Sequence, residues 1–426
     1  MAQHNSLPGF RDFYPRDFAT RAHIFSAWRE AAGRFGFHEY DGPPLEALEL
    51  YTEKSGEEIV RQLYNFEDKG GRAVALRPEM TPTFARMVGA RAGELRKPIR
   101  WFSIPQLFRY ERTQRGRLRE HFQWNVDIVG EEGVAADAEV LAVALEALRF
   151  LGLTEADVVA RVSDRRLMER LLLHAGVPSD QLMAAYAVID KLGREDDRVI
   201  RQRLAAEVGL GPASVDEVFR IFQFRDFGSL ADAYRDVAGV AEELDRLTEF
   251  FRTIADLGLA EFVAFDPTIV RGLAYYTGIV FEIFDRQGVF RAICGGGRYD
   301  TLLAAVSGVS LPALGFGMGD VVLKELLADR GLLPEGAAAV DFYLVAVGEE
   351  ERRVVRRVAS RLRGQGLSVL YSLRPAGVRA QLKDADARGA RRVVVIGPDE
   401  LQSGEVVVRE MATGEEQRVR LDELPA

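Results

Sequence analysis

Arg109, Arg112, Arg115, Arg117 and Arg119 put five guanidinium groups into eleven residues of the stretch 107–130, LFRYERTQRGRLREHFQWNVDIVG. A guanidinium can pair with phosphate through two parallel hydrogen bonds, which a point charge cannot do, so the cluster suits a nucleotide or the end of an RNA. The Gln114-Arg115-Gly116-Arg117 core between two β-rich flanks reads as the tip of a long hairpin. A solvated, charged hairpin fits the same composition. The second flank favours a site: Gln123, Asn125 and Asp127 alternate with Phe122, Trp124, Val126 and Ile128, so amides and a carboxylate share one face of a strand whose other face is apolar.

Four more stretches carry groups of this kind. In Arg77-Pro78-Glu79-Met80-Thr81-Pro82, Pro78 holds Arg77 extended and delivers Glu79 and Thr81 to the mouth of a helix. A carboxylate there either complements the helix N-terminus or binds the ammonium of an amino acid. Residues 270–282, VRGLAYYTGIVFE, put Arg271 and two phenols, Tyr275 and Tyr276, near one end of an alternating strand. Residues 294–300, CGGGRYD, lack Cβ at three consecutive positions, which lets backbone approach a flat ligand, while Arg298 and Asp300 are equally suited to a structural salt bridge. Residues 312–327, PALGFGMGDVVLKELL, alternate Gly315, Gly317 and Gly319 along one strand face and open space for an adenine or ribose.

The elements that must position these groups are legible around them. Ile24, Phe25, Trp28 and Ala31 predict a helix over 17–35, and Pro43 and Pro44 keep the next extended segment out of a central strand. Two short strands, 63–66 and 74–76, bracket a Lys-Gly-Gly turn and lead into Arg77. An apolar helix is expected over 136–151 and a strand over 158–162. Residues 165–262 read as almost pure helix and carry no chemical motif. Beyond Pro334, residues 340–426 follow a βαβαβ order, which predicts a parallel sheet flanked by helices.

At 426 residues and 47% apolar the chain is long enough for two or three cores. Its one cysteine, Cys294, excludes an internal disulfide and a cysteine zinc cluster and fits a reducing compartment. With no basic, apolar leader and no run of 18 apolar residues, a soluble cytoplasmic protein with no membrane partner is expected. A net charge of −9 argues against indiscriminate nucleic-acid binding, yet permits RNA contact through local basic surfaces.

The FRYER sequence of residues 108–112, the basic loop and the strand through Asp127 together resemble motif 2 of the class II aminoacyl-tRNA synthetases, and of the histidyl-tRNA synthetase family in particular. Residues 271–278 and 294–300 resemble the two histidine signatures of that family, residues 312–327 its motif 3, and residues 340–426 its anticodon-binding domain. The resemblance implies an α+β catalytic domain over 1–334, an antiparallel sheet flanked by helices with a helical insertion at about 165–262, and a C-terminal α/β anticodon-binding domain over 340–426. It implies a homodimer that activates histidine with ATP and Mg2+ to histidyl-adenylate and transfers it to tRNA(His). Arg271 and Arg109 are the implied catalytic residues, and Arg109, Glu111 and Arg117 bind ATP. Glu79, Thr81, Gln123, Asp127, Arg271, Tyr275, Tyr276 and Tyr299 hold histidine, Gln114 and Arg115 meet tRNA, and no residue is assigned to a metal. Three positions depart from the family pattern: Met80 replaces Gly, Ala274 replaces Asp, and Val322 replaces the motif 3 Arg that clamps the outer phosphates. The last two favour an alternative, a non-catalytic relative that senses histidine or uncharged tRNA or regulates histidine synthesis. The complete basic loop and the C-terminal domain favour the ligase. That reading requires Arg109, Arg117 and Arg271 to converge on one triphosphate.

Overall fold

A computed structural model describes residues 5–52, 62–270, 276–334 and 340–424. They form two compact units, Met1–Pro334 and Glu335–Ala426.

The strands of the first unit are β1 (His38–Glu39), β2 (Leu45–Ala47), β3 (Asn65–Glu67), β4 (Ala73–Leu76), β5 (Ile99–Ser103), β6 (Gln106–Phe108), β7 (Glu120–Val129), β8 (Val158–Asp164), β9 (Val263–Phe265), β10 (Ile279–Asp285), β11 (Cys294–Arg298) and β12 (Ala313–Gly319). The main sheet runs β1-β5-β7-β12-β11-β10-β8-β9, with β6 paired to the start of β7. Its pairings are antiparallel except at the two edges, β1 with β5 and β8 with β9. The strands β2, β4 and β3 make a separate small sheet.

One face of the main sheet is sealed by helices. Helix Pro15–Arg34 starts on a proline, whose missing N–H would have had no partner in the first turn. It buries Ile24, Ala27, Trp28, Ala31 and Ala32, a stripe at helical spacing. Trp28 stacks on Trp124 of β7 with ring centroids 5.9 Å apart. Helix Val134–Phe150 is apolar on nearly every side because it lies in the core, where Leu141, Leu145 and Leu148 are fully buried. The alternation read in β7 therefore resolves cleanly: Trp124, Val126 and Ile128 enter this core, leaving Gln123, Asn125 and Asp127 on the opposite face.

Residues 165–262 form six α-helices, from Arg165–His174 to Ala241–Asp256. Asp164 caps the first of them, accepting from the backbone N–H groups of Arg166 and Leu167, and also pairs with Arg246 at 2.6 Å. No described helix is long and apolar enough to cross a membrane.

The second unit has parallel strands β13 (Phe342–Ala346), β14 (Val369–Tyr371) and β15 (Arg392–Ile396), followed by an antiparallel hairpin, β16 (Glu405–Glu410) and β17 (Glu416–Arg420), in the order β14-β13-β15-β16-β17. The parallel part is the expected βαβαβ order, and the hairpin extends it. Gln381 is buried and holds the fold together: its amide donates to the Ala346 and Ala376 carbonyls at 2.8 and 2.7 Å and accepts from Ala346 N–H at 3.1 Å. Beside it a cavity of about 290 Å³ is lined by Arg352, Arg356, Tyr371 and Arg374.

Candidate active site

The basic hairpin closes through reciprocal backbone hydrogen bonds of 3.0 Å between Gln114 and Arg117, with Gly116 supplying the positive φ of +71° that the turn needs. Its inner side, with β7, β11 and β12, bounds a cleft of about 350 Å³. Arg109, Glu111, Arg117 and Gln123 all line this cleft, so four positions inferred from the sequence come together. Arg109 is steered by a 2.9 Å hydrogen bond from Nε to the Pro78 carbonyl. Arg117 pairs with the Glu111 carboxylate, its Nη2 lying 2.5 Å from Oε1. Burial, then the charges of Arg109 and Arg291, press the Arg117 pKa down from its ordinary value. Cations are thus crowded here before any anion is bound.

Glu79 is buried close enough to Arg109 to feel its charge. The Arg77-Pro78-Glu79 segment is pinned by Arg77, whose buried guanidinium donates to Asp41 at 2.7 Å, to the Gly42 carbonyl at 2.7 Å and to the Gln106 carbonyl at 3.0 Å. Burial raises the Glu79 pKa and the nearby Arg109 charge opposes it. Thr81 begins helix Thr81–Ala90 two residues later.

Asp127 lies two pleats along β7 from Gln123, ~13 Å at strand spacing, on the same polar face. It is 5% exposed and accepts a hydrogen bond from the Tyr299 hydroxyl. Burial pushes its pKa up to about 7, against the opposing effect of that hydrogen bond. Tyr276 and Tyr299 belong to one apolar cluster with Phe84 and Leu303. Gln114 and Arg115 are exposed at the tip of the hairpin, bonded to Arg291 at 2.6 Å and Glu325 at 3.3 Å. Arg271 and Tyr275, and with them the expected convergence on Arg271 and the Ala274 departure, lie outside the described residues.

The glycine runs do different work from what their pattern suggests. Gly295 lines the cleft, and a Cβ there would meet only Glu282 Cγ, at 3.8 Å. At Gly296 a Cβ would lie 2.5 Å from Phe316 Cβ and 2.6 Å from the Gly315 carbonyl, and at Gly297 it would lie 2.7 Å from the Ile279 carbonyl. Two of the three glycines therefore serve sheet packing. Of the alternating set, only Gly319 is open, with no atom near the place of a Cβ, whereas the space that Gly317 vacates is taken by the Gln123 amide and that of Gly315 by the Asp127 carboxylate. Gly296→Ala is expected to lower the unfolding free energy by about 1–3 kcal/mol through overpacking. Gly295→Ala should change stability far less, and parallel urea titrations compare the two. Arg298 takes the structural role: its guanidinium is buried against Asp137 at 2.6 Å.

Three cleft residues had not stood out in the sequence. His121 is held neutral, its pKa pressed down to about 3 by burial and then by Arg109 and Arg11. Glu282 projects from β10, and Arg291 from the turn after it. The only sequence signal for Arg291 is a cation directly before an apolar strand. Tyr40, whose hydroxyl is buried beside Asp127 and Ser103, was also missed.

An antiparallel sheet bearing a basic hairpin over a polar cleft, with an acidic pocket further along the same strand, is the framework of a class II aminoacyl-tRNA synthetase. The sequence model for histidyl-tRNA synthetase matches residues 9–320, and that for the anticodon binding domain matches residues 341–426. The chain is 44% identical over 428 residues to the histidine–tRNA ligase of Opitutus terrae, spanning 100% of this chain and 98% of that one. It therefore belongs to the histidyl-tRNA synthetase family. Crystallographic histidyl-tRNA synthetase from Nostoc sp. PCC 7120 superposes with a TM-score of 0.87 at 22% identity, over 99% of this chain and 98% of that one. A Bacillus halodurans protein described as an ATP phosphoribosyltransferase regulatory subunit/histidyl-tRNA synthetase superposes at 0.77 with 21% identity, over 93% and 99%. These two share the fold, and the fold alone does not separate ligase from regulator.

Proposed function

We propose that the chain is a histidine–tRNA ligase in which ATP occupies the 350 Å³ cleft and histidine the pocket around Asp127. The histidine carboxylate attacks the α-phosphorus, the bond to the departing pyrophosphate breaks, and histidyl-adenylate forms. A terminal hydroxyl of tRNA(His) then attacks the acyl carbon and AMP leaves. No protein nucleophile is needed, because fixed guanidinium groups and positioned reactants supply the acceleration. The observation that carries this reading is the meeting of Arg109, Arg117 and Gln123 in one cleft, with the buried Glu79 carboxylate within reach of the Arg109 charge.

Arg109 takes the α-phosphate and Arg117 the outer phosphates, exchanging its Glu111 partner for ligand. Arg271 is assigned the charge that develops at phosphorus. Glu79, Thr81, Gln123 and Asp127 take the amino group, and Tyr275, Tyr276 and Tyr299 surround the imidazole. Magnesium fits the donor set, since it favours one or two carboxylates together with phosphate oxygens, and Glu111 and Glu282 face the cleft. When bound it would neutralise phosphate charge. The exposed Gln114 and Arg115 suit the tRNA acceptor end, and the arginine-lined cavity of the second unit suits an anticodon. Phe18, half exposed beneath the Arg21 guanidinium, offers an outer face of helix Pro15–Arg34 for a homodimer. A cytoplasmic setting is part of the same proposal.

The test is isotope exchange between pyrophosphate and ATP by the purified protein. Exchange is expected with histidine present and not without it, and its absence sinks the ligase reading.

A further inference from the structure

Val322 lines the outer end of the cleft, where it offers nothing to a terminal phosphate. We propose that Arg291, from the turn between β10 and β11, supplies the guanidinium that binds the outer phosphates of ATP in this chain. The proposal rests on the ligase reading and adds a residue to its site. Three observations place Arg291 there.

The turn is anchored, because the Asp285 carboxylate accepts from the backbone N–H groups of Val289 and Phe290 at 3.0 and 2.9 Å. It is also clasped to the basic hairpin: Arg291 Nη2 donates to Gln114 Oε1 at 2.6 Å, and the Arg115 guanidinium lies over the Phe290 ring at 5.2 Å. Finally, Arg291 and Val322 flank the same glycine. A Cβ on Gly116 would sit 3.1 Å from Val322 Cγ2 and 4.0 Å from Arg291 Cδ, so both side chains border the same glycine of the hairpin.

Its charge is felt by Arg117, whose pKa it helps to lower. Arg291 has no carboxylate partner among the described residues, whereas Arg117 has Glu111 and Arg115 has Glu325. A triphosphate would relieve the crowding among Arg109, Arg117 and Arg291 and give the last its ion pair.

A purely structural Arg291 would serve only to hold Gln114, and the substitutions separate the two roles. Arg291→Gln retains an amide that can donate to Gln114 but carries no charge, and Arg291→Ala retains neither. In histidine-dependent pyrophosphate exchange both variants are expected to raise the KM for ATP by about 10- to 100-fold, the scale of a lost charge-assisted contact. The KM for histidine and inhibition by AMP, which lacks the outer phosphates, should stay within about twofold. An ATP KM that Arg291→Gln leaves at the wild-type value, or an equal loss of AMP binding, overturns the proposal. Wild-type protein with no exchange at all overturns the ligase reading, and this proposal with it.

Discussion

Asp127→Asn is expected to give a protein that is more stable without ligand yet has nearly lost histidine. The Asp127 carboxyl is almost fully buried with a pKa of about 7, well above the ordinary carboxylate range. A folded-state pKa raised in this way contributes stability that is full below the unfolded value and is lost as pH rises through about 7. Asparagine cannot ionise, so the variant avoids that loss. At pH 8 the ligand-free variant should unfold at higher urea than wild type, by a few kcal/mol and ~4 at most, whereas near pH 4 the two should converge. Histidine binding should respond in the opposite sense. Removing a buried charge from its ammonium partner is expected to raise the KM for histidine about 100-fold. In wild type the same group makes the histidine KM rise about tenfold for each pH unit below 7, as the carboxyl takes up its proton in the empty site. Urea titrations and exchange kinetics across pH 5–8.5 measure both halves. A less stable variant that still binds histidine would mean that Asp127 serves only to hold Tyr299.

Arg298→Leu should cause the largest loss of stability. Arg298 and Asp137 are 2% and 4% exposed, with Nη2 and Nε at 2.6 and 3.2 Å from the carboxylate, and Nη1 also donates to the Glu131 carbonyl at 2.9 Å. The pair ties β11 to the first turn of helix Val134–Phe150, and β11 leads directly into Tyr299. Removing the cation leaves a buried carboxylate without its partner, at a cost of about 3–5 kcal/mol. For a unit of this size that is a fall in Tm of about 4–7 °C. Asp137, already raised by burial against the pull of Arg298, would rise further once alone, so the deficit should shrink as pH falls and Asp137 protonates. Replacing both residues by leucine should recover much of the loss, because a buried pair offers little over apolar packing. Calorimetry of the single and double variants tests this. A single variant within 1 kcal/mol of wild type would show that the carboxylate reaches solvent.

The parts legible in the sequence were those whose chemistry and periodicity are local. β7 announced both its faces, because burial on one side and a polar site on the other impose strict alternation. The basic hairpin was legible for the same reason, its charge and its turn glycine lying within a few residues of each other. What was not legible depends on neighbours distant in the chain. Nothing local distinguishes Gly295 at the cleft from Gly296 under Phe316, since the difference lies in β12 and β10 on either side. Arg291 stands alone in a turn, 177 residues from the glutamine it contacts. The terminal hairpin of the second unit escaped because β17 is almost wholly exposed and its charged residues resemble a solvated tail. In the family pattern Val322 is a missing cation. In three dimensions it is one wall of a cleft into which another cation reaches.

The proposed site brings ATP and histidine together. It is tested most directly by pyrophosphate–ATP exchange with purified protein, run separately with each of the twenty amino acids at pH 8. Exchange is expected with histidine alone, and it should be abolished when Arg109 and Arg117 are both replaced by alanine. Exchange with a different amino acid, or none with histidine while histidine still raises the Tm, would contradict it.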